Sequence, residues 1–201
     1  MALFSSVAKV AVRPFRTYEA LARTLEAETP RAVGVRVAVG AVRLLLVVGA
    51  FVSFTSTGRL LPIDTLVAAS AYSWLLGVQA LALYCARRVA RSERPYWTLA
   101  ALYLEGHGVW HLSLLAVSGA LLFARDALAG VAVVVPVAVV VAFVWGIVTT
   151  FALFSRAAGV PRRRAVFATF TFYVAMMGIV VSYYVFMGQL LPILPFARVP
   201  S

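Results

Sequence analysis

Residues 66–85 read LVAASAYSWLLGVQALALYC, twenty positions without a charged side chain. An α-helix rises about 1.5 Å per residue, so the stretch covers about 30 Å, the thickness of a bilayer's hydrocarbon core. It is followed at once by Arg87, Arg88, Arg91 and Arg94. An uncharged run of membrane length that ends in a basic block reads as a transmembrane helix stopping at the cytoplasmic face.

The rest of the chain has the same character. Apolar residues make up 63% of its 201 positions and charged residues 12%, with a mean hydropathy of +0.96. A soluble domain carries roughly 25% charged residues. There is too little charge here to coat a water-exposed surface, which excludes a soluble enzyme, a disordered chain and a collagen-like chain. The net charge of +11 comes from one Lys and seventeen Arg against seven acids. These cations lie in blocks flanking apolar stretches, which is a signature of topology rather than of nucleic-acid binding. The single cysteine, Cys85, rules out an internal disulfide and a cysteine-based zinc cage.

Five apolar stretches predict an all-α, five-span membrane bundle: Val37–Ser56, Leu66–Cys85, Trp97–Phe123, Leu128–Phe154 and Ala165–Leu191. The first is interrupted by Arg43, and the third contains Glu105, His107 and His111. The fourth is uncharged and Val-rich, with Pro136 inside it. The expected organisation is a cytoplasmic segment 1–36, a five-span domain 37–196 and a short external tail 197–201, with Pro192 and Pro195 ending regular helix. Lys9, Arg13, Arg16, Arg23, Arg31 and Arg36 share one side with Arg87, Arg88, Arg91 and Arg94 and with Arg156, Arg162, Arg163 and Arg164. That side holds fourteen basic residues, and the other holds only Arg59, Arg125 and Arg198. The bias places the N-terminus in the cytoplasm and the C-terminus outside. A Lys-poor, Arg- and Ala-rich composition fits a GC-rich microbe, and the expected location is a bacterial inner membrane.

The N-terminal segment has no long apolar core, so a cleaved secretory signal is not expected. Pro14 to Glu28 reads instead as an amphipathic helix. Phe15, Tyr18, Ala22 and Leu25 fall on one face, with Pro14 in the first turn and Thr29-Pro30 at the end. Two placements are open: in the membrane interface with Phe15 and Tyr18 dipped in, or packed on the cytoplasmic ends of the spans.

Polar groups inside spans are the strongest functional pointers, because a charge there costs about 2.5–3.5 kcal/mol on insertion scales. Helix rise places Glu105 about 15 Å from the cytoplasmic side, and Arg43 and Gln79 at about 10 Å. A cluster of Arg43, Gln79 and Glu105 is expected there, either as a structural knot or as part of a transport path. Alternatively, Arg43 snorkels to the interface. On span three, Tyr103, His107, His111 and Ser118 form one polar face, with Glu105 roughly 160° away from His107 on a regular helix. The two histidines lack further ligands, so no metal and no cofactor is expected. Ser70, Ser73, Gly77 and Ala80 form a small-residue stripe suited to helix packing, against another span or another subunit. Trp97, Trp145, Tyr183 and Tyr184 are candidate interfacial anchors. No phosphate-binding loop or nucleophile elbow is present.

The layout resembles a known family. Arg13-Pro14-Phe15 precedes five spans. Spans four and five are joined by a tight basic turn, with Phe154-Ser155-Arg156 before Gly159 and Arg163-Arg164-Ala165 after it. Arg94-Pro95-Tyr96-Trp97-Thr98 enters span three, followed by Ala101 and Tyr103. In these features the chain is similar to the bacterial branch of the YIP (Ypt-interacting protein) family of membrane proteins. The Asp-Leu-Tyr-Gly-Pro type of motif of eukaryotic members is absent. The resemblance implies a non-enzymatic membrane protein that works through partners, and it carries over no catalytic or ligand residue. The expectation is therefore an organising, scaffold or accessory subunit in contact with membrane lipids, including anionic headgroups, and with a membrane-protein partner or a second copy. The cytoplasmic rim would be Arg87, Arg88, Arg91, Arg94, Arg162, Arg163 and Arg164. No nucleic acid is expected. The alternative is a small-solute or proton-coupled transporter or channel subunit using Arg43, Gln79 and Glu105.

Overall fold

The structure, a computed structural model, describes residues 8–57, 59–123 and 128–187. Among these residues every regular element is helical. The expected loop 124–127, the end of the fifth stretch and the tail with Pro192, Pro195 and Arg198 lie outside them.

Helix α1 runs Pro14–Glu26. Thr29 then caps the next helix, accepting a hydrogen bond on Oγ1 from the Ala32 amide at 3.3 Å. Pro30 supplies the first turn. Helix α2 therefore runs Pro30–Thr57, starting well before the apolar stretch at Val37. Helices α3 (Pro62–Ala71) and α4 (Trp74–Ala90) follow. Helices α5 (Tyr96–Glu105), α6 (Gly108–Phe123) and α7 (Leu128–Ala152) come next. A π-helical turn, Leu153–Ala157, ends α7, and α8 runs Arg162–Val185. Helix α7 continues through Pro136.

Among the described residues, four helical segments are long and apolar enough to cross a membrane: Pro30–Ser56, Pro62–Ala90, Pro136–Ala157 and Arg162–Val185. The third expected span is not one helix. It divides at Gly106–His107 into α5 and α6. Gly106 and Gly108 flank the break, and glycine weakens a helix interior by about 0.5–1 kcal/mol relative to alanine. The second stretch also bends, at Tyr72–Ser73 between α3 and α4.

Helix α5 is the hub. Thr98, Leu99, Ala100, Ala101, Leu102, Leu104 and Glu105 are all buried, so the helix is covered on every side. It packs against α1, α2, α4 and the π turn. The most extensive helix pair is α4 with α8. Ala82, Ala86 and Ala90 on α4 and Ala165 and Ala168 on α8 are fully buried. Alanine lets two helices approach closely enough for dispersion contacts to hold them in an apolar solvent. At the far end of this pair, the Trp74 and Tyr183 rings lie 4.4 Å apart.

The predicted stripe plays no part in this packing. Ser70, Ser73, Gly77 and Ala80 are exposed, and a Cβ at Gly77 would meet open space. All four stand on the outward face of the α3–α4 segment, away from the helices this chain itself supplies. The close approaches are made instead by two glycines of α2. A Cβ at Gly40 would stand 2.9 Å from that of Leu104, and one at Gly49 would collide with the Thr65 carbonyl. Branched residues of α7 point outward, as a lipid-facing surface requires: Val137, Val139, Val140 and Val141 are all exposed.

These contacts predict opposite effects for two alanine substitutions on one helix. Gly34 has open space around it. Gly34→Ala should stabilise α2 by about 0.5–1 kcal/mol. Gly49→Ala must push α3 away and should cost about 1–3 kcal/mol. Thermal unfolding in detergent reads both, and an equal response would refute the α2–α3 contact.

Candidate functional site

The polar residues of the first and third stretches meet at the break between α5 and α6. A helix end leaves carbonyl oxygens without an intrahelical partner. Here Arg43 of α2 supplies one, its Nη2 donating to the Leu104 carbonyl at 3.3 Å. The same nitrogen lies 3.8 Å from Glu105 Oε2. The Arg43 side chain is 13% exposed and that of Glu105 9%. Arg43 therefore does not snorkel. It neutralises a buried carboxylate and the negative end of α5 together. Gly40, one turn before Arg43, brings α2 close enough for this reach.

Helix α1 closes the cluster from the end that the sequence reading assigns to the cytoplasm. It takes the second of the two placements left open by the sequence, packing on α5, α7 and the π turn. Pro14, Tyr18, Ala22 and Leu25 are its buried face. Tyr18 is 1% exposed, and its hydroxyl sits so close to Gly106 that a Cβ there would collide with it. Burial, and then the Glu105 charge, raise the Tyr18 phenol far above its ordinary range. It stays a hydrogen-bond donor at any physiological pH. Upstream, Trp145 of α7 donates from Nε1 to the Ala11 carbonyl at 2.7 Å. At the other end, Arg94 forms an ion pair with Glu26 at 2.8 Å and donates to the Ala22 carbonyl at 3.4 Å. Trp145 is thus partly a clamp on the N-terminal segment, whereas Trp97 is 62% exposed, as an interfacial anchor should be.

Around Tyr18 lies a polar cavity of about 20 Å³, lined by Tyr103, His107, Trp110, Thr149, Thr150 and Tyr173 among others. The predicted face Tyr103, His107, His111 and Ser118 holds in part. The Tyr103 and His107 rings meet edge to face at 4.6 Å, and those of His107 and His111 lie 6.4 Å apart. His107 donates from Nδ1 to the Tyr103 carbonyl at 3.2 Å. His111 Nε2 is buried without a hydrogen-bond partner among the described residues. Ser118 turns back on its own helix, donating to the Leu114 carbonyl at 2.8 Å. The expected opposition of Glu105 and His107 assumed a regular helix. The chain leaves regular helix between these two residues, at Gly106–His107, and Tyr18 reaches both the Gly106 backbone and the cavity that His107 lines. Among the described residues no three His, Cys, Asp or Glu side chains are grouped to hold a metal ion.

Among the described residues Gln79 makes no hydrogen bond through its carboxamide oxygen to the Arg43–Glu105 pair. Its carboxamide oxygen is buried with no hydrogen-bond partner among the described residues. It borders a mainly apolar cavity of about 140 Å³ between α2, α4 and α5. Tyr18, the residue that completes the cluster, was read from the sequence only as an apolar-face position. The signal that could have found it is the glycine pair around His107, which makes room for a bulky group.

The basic rim divides in two. Arg87 donates to the Arg94 carbonyl at 2.9 Å, and Arg94 is held by α1, so both fix the α4–α5 turn. Arg88 donates to the Tyr84 hydroxyl at 3.1 Å and remains exposed. Arg91, Arg162, Arg163 and Arg164 are exposed.

No family model, no curated protein and no solved structure matches this chain. The chemistry of the cluster makes its own prediction. Glu105→Leu leaves Arg43 charged and buried, and should cost about 3–5 kcal/mol. Adding Arg43→Met should recover most of that loss, because an apolar pair can replace a buried ion pair. A double-mutant cycle by unfolding in detergent measures the coupling, and additive losses would show that the two groups do not interact.

Proposed function

We propose that this chain is a non-enzymatic, multi-span membrane protein that organises or supports a membrane assembly through lipid and partner contacts at its cytoplasmic rim. In this reading α5 and α6 together make a third, broken span, for a total of five. A break of this kind is tolerated at membrane depth where protein buries it. The fourteen-to-three distribution of basic residues supports a cytoplasmic N-terminus and an external C-terminus. The layout that resembles the YIP family supports the same role and remains a proposal on the motifs that carry it.

The observation that carries this reading is the unequal use of the charged groups. The intramembrane pair Arg43 and Glu105 is consumed by internal packing, whereas Arg88, Arg91, Arg162, Arg163 and Arg164 stay exposed at the rim. Exposed arginines at one bilayer face attract anionic lipids and acidic partner segments.

A second reading, movement of a solute or proton, rests on one observation. Arg43 Nε, Gln79 Oε1 and His111 Nε2 are buried without hydrogen-bond partners among the described residues. It requires flux in liposomes that Glu105→Gln and Arg43→Gln abolish.

Two measurements check the first reading. In a Cys85→Ala background, Arg162→Cys should react with a membrane-impermeant thiol reagent only from the cytoplasmic side. Reaction from the outside alone reverses the topology. Gentle purification into nanodiscs, with mass spectrometry of everything retained, should return a partner or an anionic lipid at constant ratio. Recovery of the intact protein with neither would remove the scaffold reading.

A further inference from the structure

A cavity of about 800 Å³ lies at the basic rim. Its walls come from three places: the hinge between α1 and α2, the turn between α4 and α5, and the turn before α8. Its volume is that of a small-molecule site. Three arginines and three glutamates line it, but they are not equally available. Glu26 is paired with Arg94 at 2.8 Å, and Glu28 is held by Arg36 at 2.6 Å. Arg91 and Arg164 have no ion-pair partner among the described residues and are exposed, facing only Glu93 as an unengaged acid. Trp97 lines the same cavity and is 62% exposed, at the start of α5 where an indole suits the headgroup layer.

Arg91 also occupies an unfavourable backbone position. Its φ of 52° makes it the one non-glycine residue in the left-handed region among the described residues. It follows the last turn of α4, with the Ser92 amide donating to the Arg87 carbonyl at 3.3 Å and the Arg91 amide to the Arg88 carbonyl at 3.1 Å. Glycine is the usual residue at this place in such a turn. An arginine there costs stability, and the residue lines the cavity.

We propose that this cavity binds one phosphate-bearing anion, the headgroup of an anionic phospholipid, with Arg91 and Arg164 as the charge-bearing contacts and Trp97 bordering the acyl side. The site rests on the reading of the rim as a lipid-contact surface and narrows it to two arginines. Guanidinium groups bind phosphate through paired charge-assisted hydrogen bonds. The paired Glu26 and Glu28 present little repulsion.

The test uses the whole protein in neutral detergent, titrated with phosphatidylglycerol or phosphatidylcholine, reading lipid retained per protein and the shift in thermal midpoint. Phosphatidylglycerol should be retained at about one per chain and phosphatidylcholine should not. Arg91→Gly should raise the lipid-free thermal midpoint, because glycine relieves the backbone. It should also weaken phosphatidylglycerol binding by about tenfold or more, the loss of one charge-assisted contact. A purely structural Arg91 would give the first effect without the second, and that result overturns the proposal. Arg164→Gln should lose a similar factor. Arg88→Gln, on the same rim outside the cavity, should change binding less than about twofold. Equal losses for Arg88→Gln and Arg164→Gln would overturn the cavity while leaving a diffuse lipid-contact rim standing. No preference for phosphatidylglycerol in the wild type would end both. Soluble glycerol phosphate identifies the source. If it binds as tightly as the lipid and responds to the same two substitutions, the phosphate site stands with a soluble ligand. If it fails to compete, the lipid is the ligand.

Discussion

A carboxylate at the centre of an apolar bundle must be neutralised, and Glu105 sets that requirement here. Arg43 meets it by lying 3.8 Å from the carboxylate while capping the end of α5 through the Leu104 carbonyl. For this to happen α5 must end at Glu105, α2 must approach at Gly40, and something must cover the backbone exposed by the break. Tyr18 supplies the cover. The N-terminal helix, the broken third stretch and the tight α2–α5 contact thus meet around one buried charge.

The helix contacts follow a second rule. In an apolar solvent, burial of greasy side chains gives helices no reason to associate, so close backbone approach has to do so. Glycines of α2 and alanines of α4 and α8 provide it. Some of the large aromatics serve polar groups. Tyr18, Tyr103 and Tyr173 line the polar cavity, and Trp145 holds the Ala11 carbonyl.

At the rim, charge has two uses. Arg87 and Arg94 are spent on the α4–α5 turn and on docking α1, and Arg36 is spent on Glu28. The remaining arginines face outward, two of them around a cavity of ligand size. The division between internal and external use is what turns a topological signal into a candidate surface for anionic ligands.

The sequence by itself determined the solvent, the helical class and the cost of its intramembrane charges. Composition, run length and basic blocks are properties of the chain that do not depend on which helix meets which. Residues 66–85 and the block after them sufficed to read a helix of membrane-spanning length, and the expectation that Arg43 and Glu105 come together followed from helix rise. The amphipathic helix from Pro14 was also legible, because its apolar face repeats at helical spacing. The tertiary structure alone decided where that helix docks and where α5 ends. It also decided which small residues touch: Gly40 and Gly49 rather than the stripe at Ser70, Ser73, Gly77 and Ala80. The physical reason is that a helical face is defined only within one unbroken helix. The third stretch is broken at residues 106–107, and what surrounds the break is set by residues far apart in sequence, Arg43 with Leu104 and Tyr18 with Gly106.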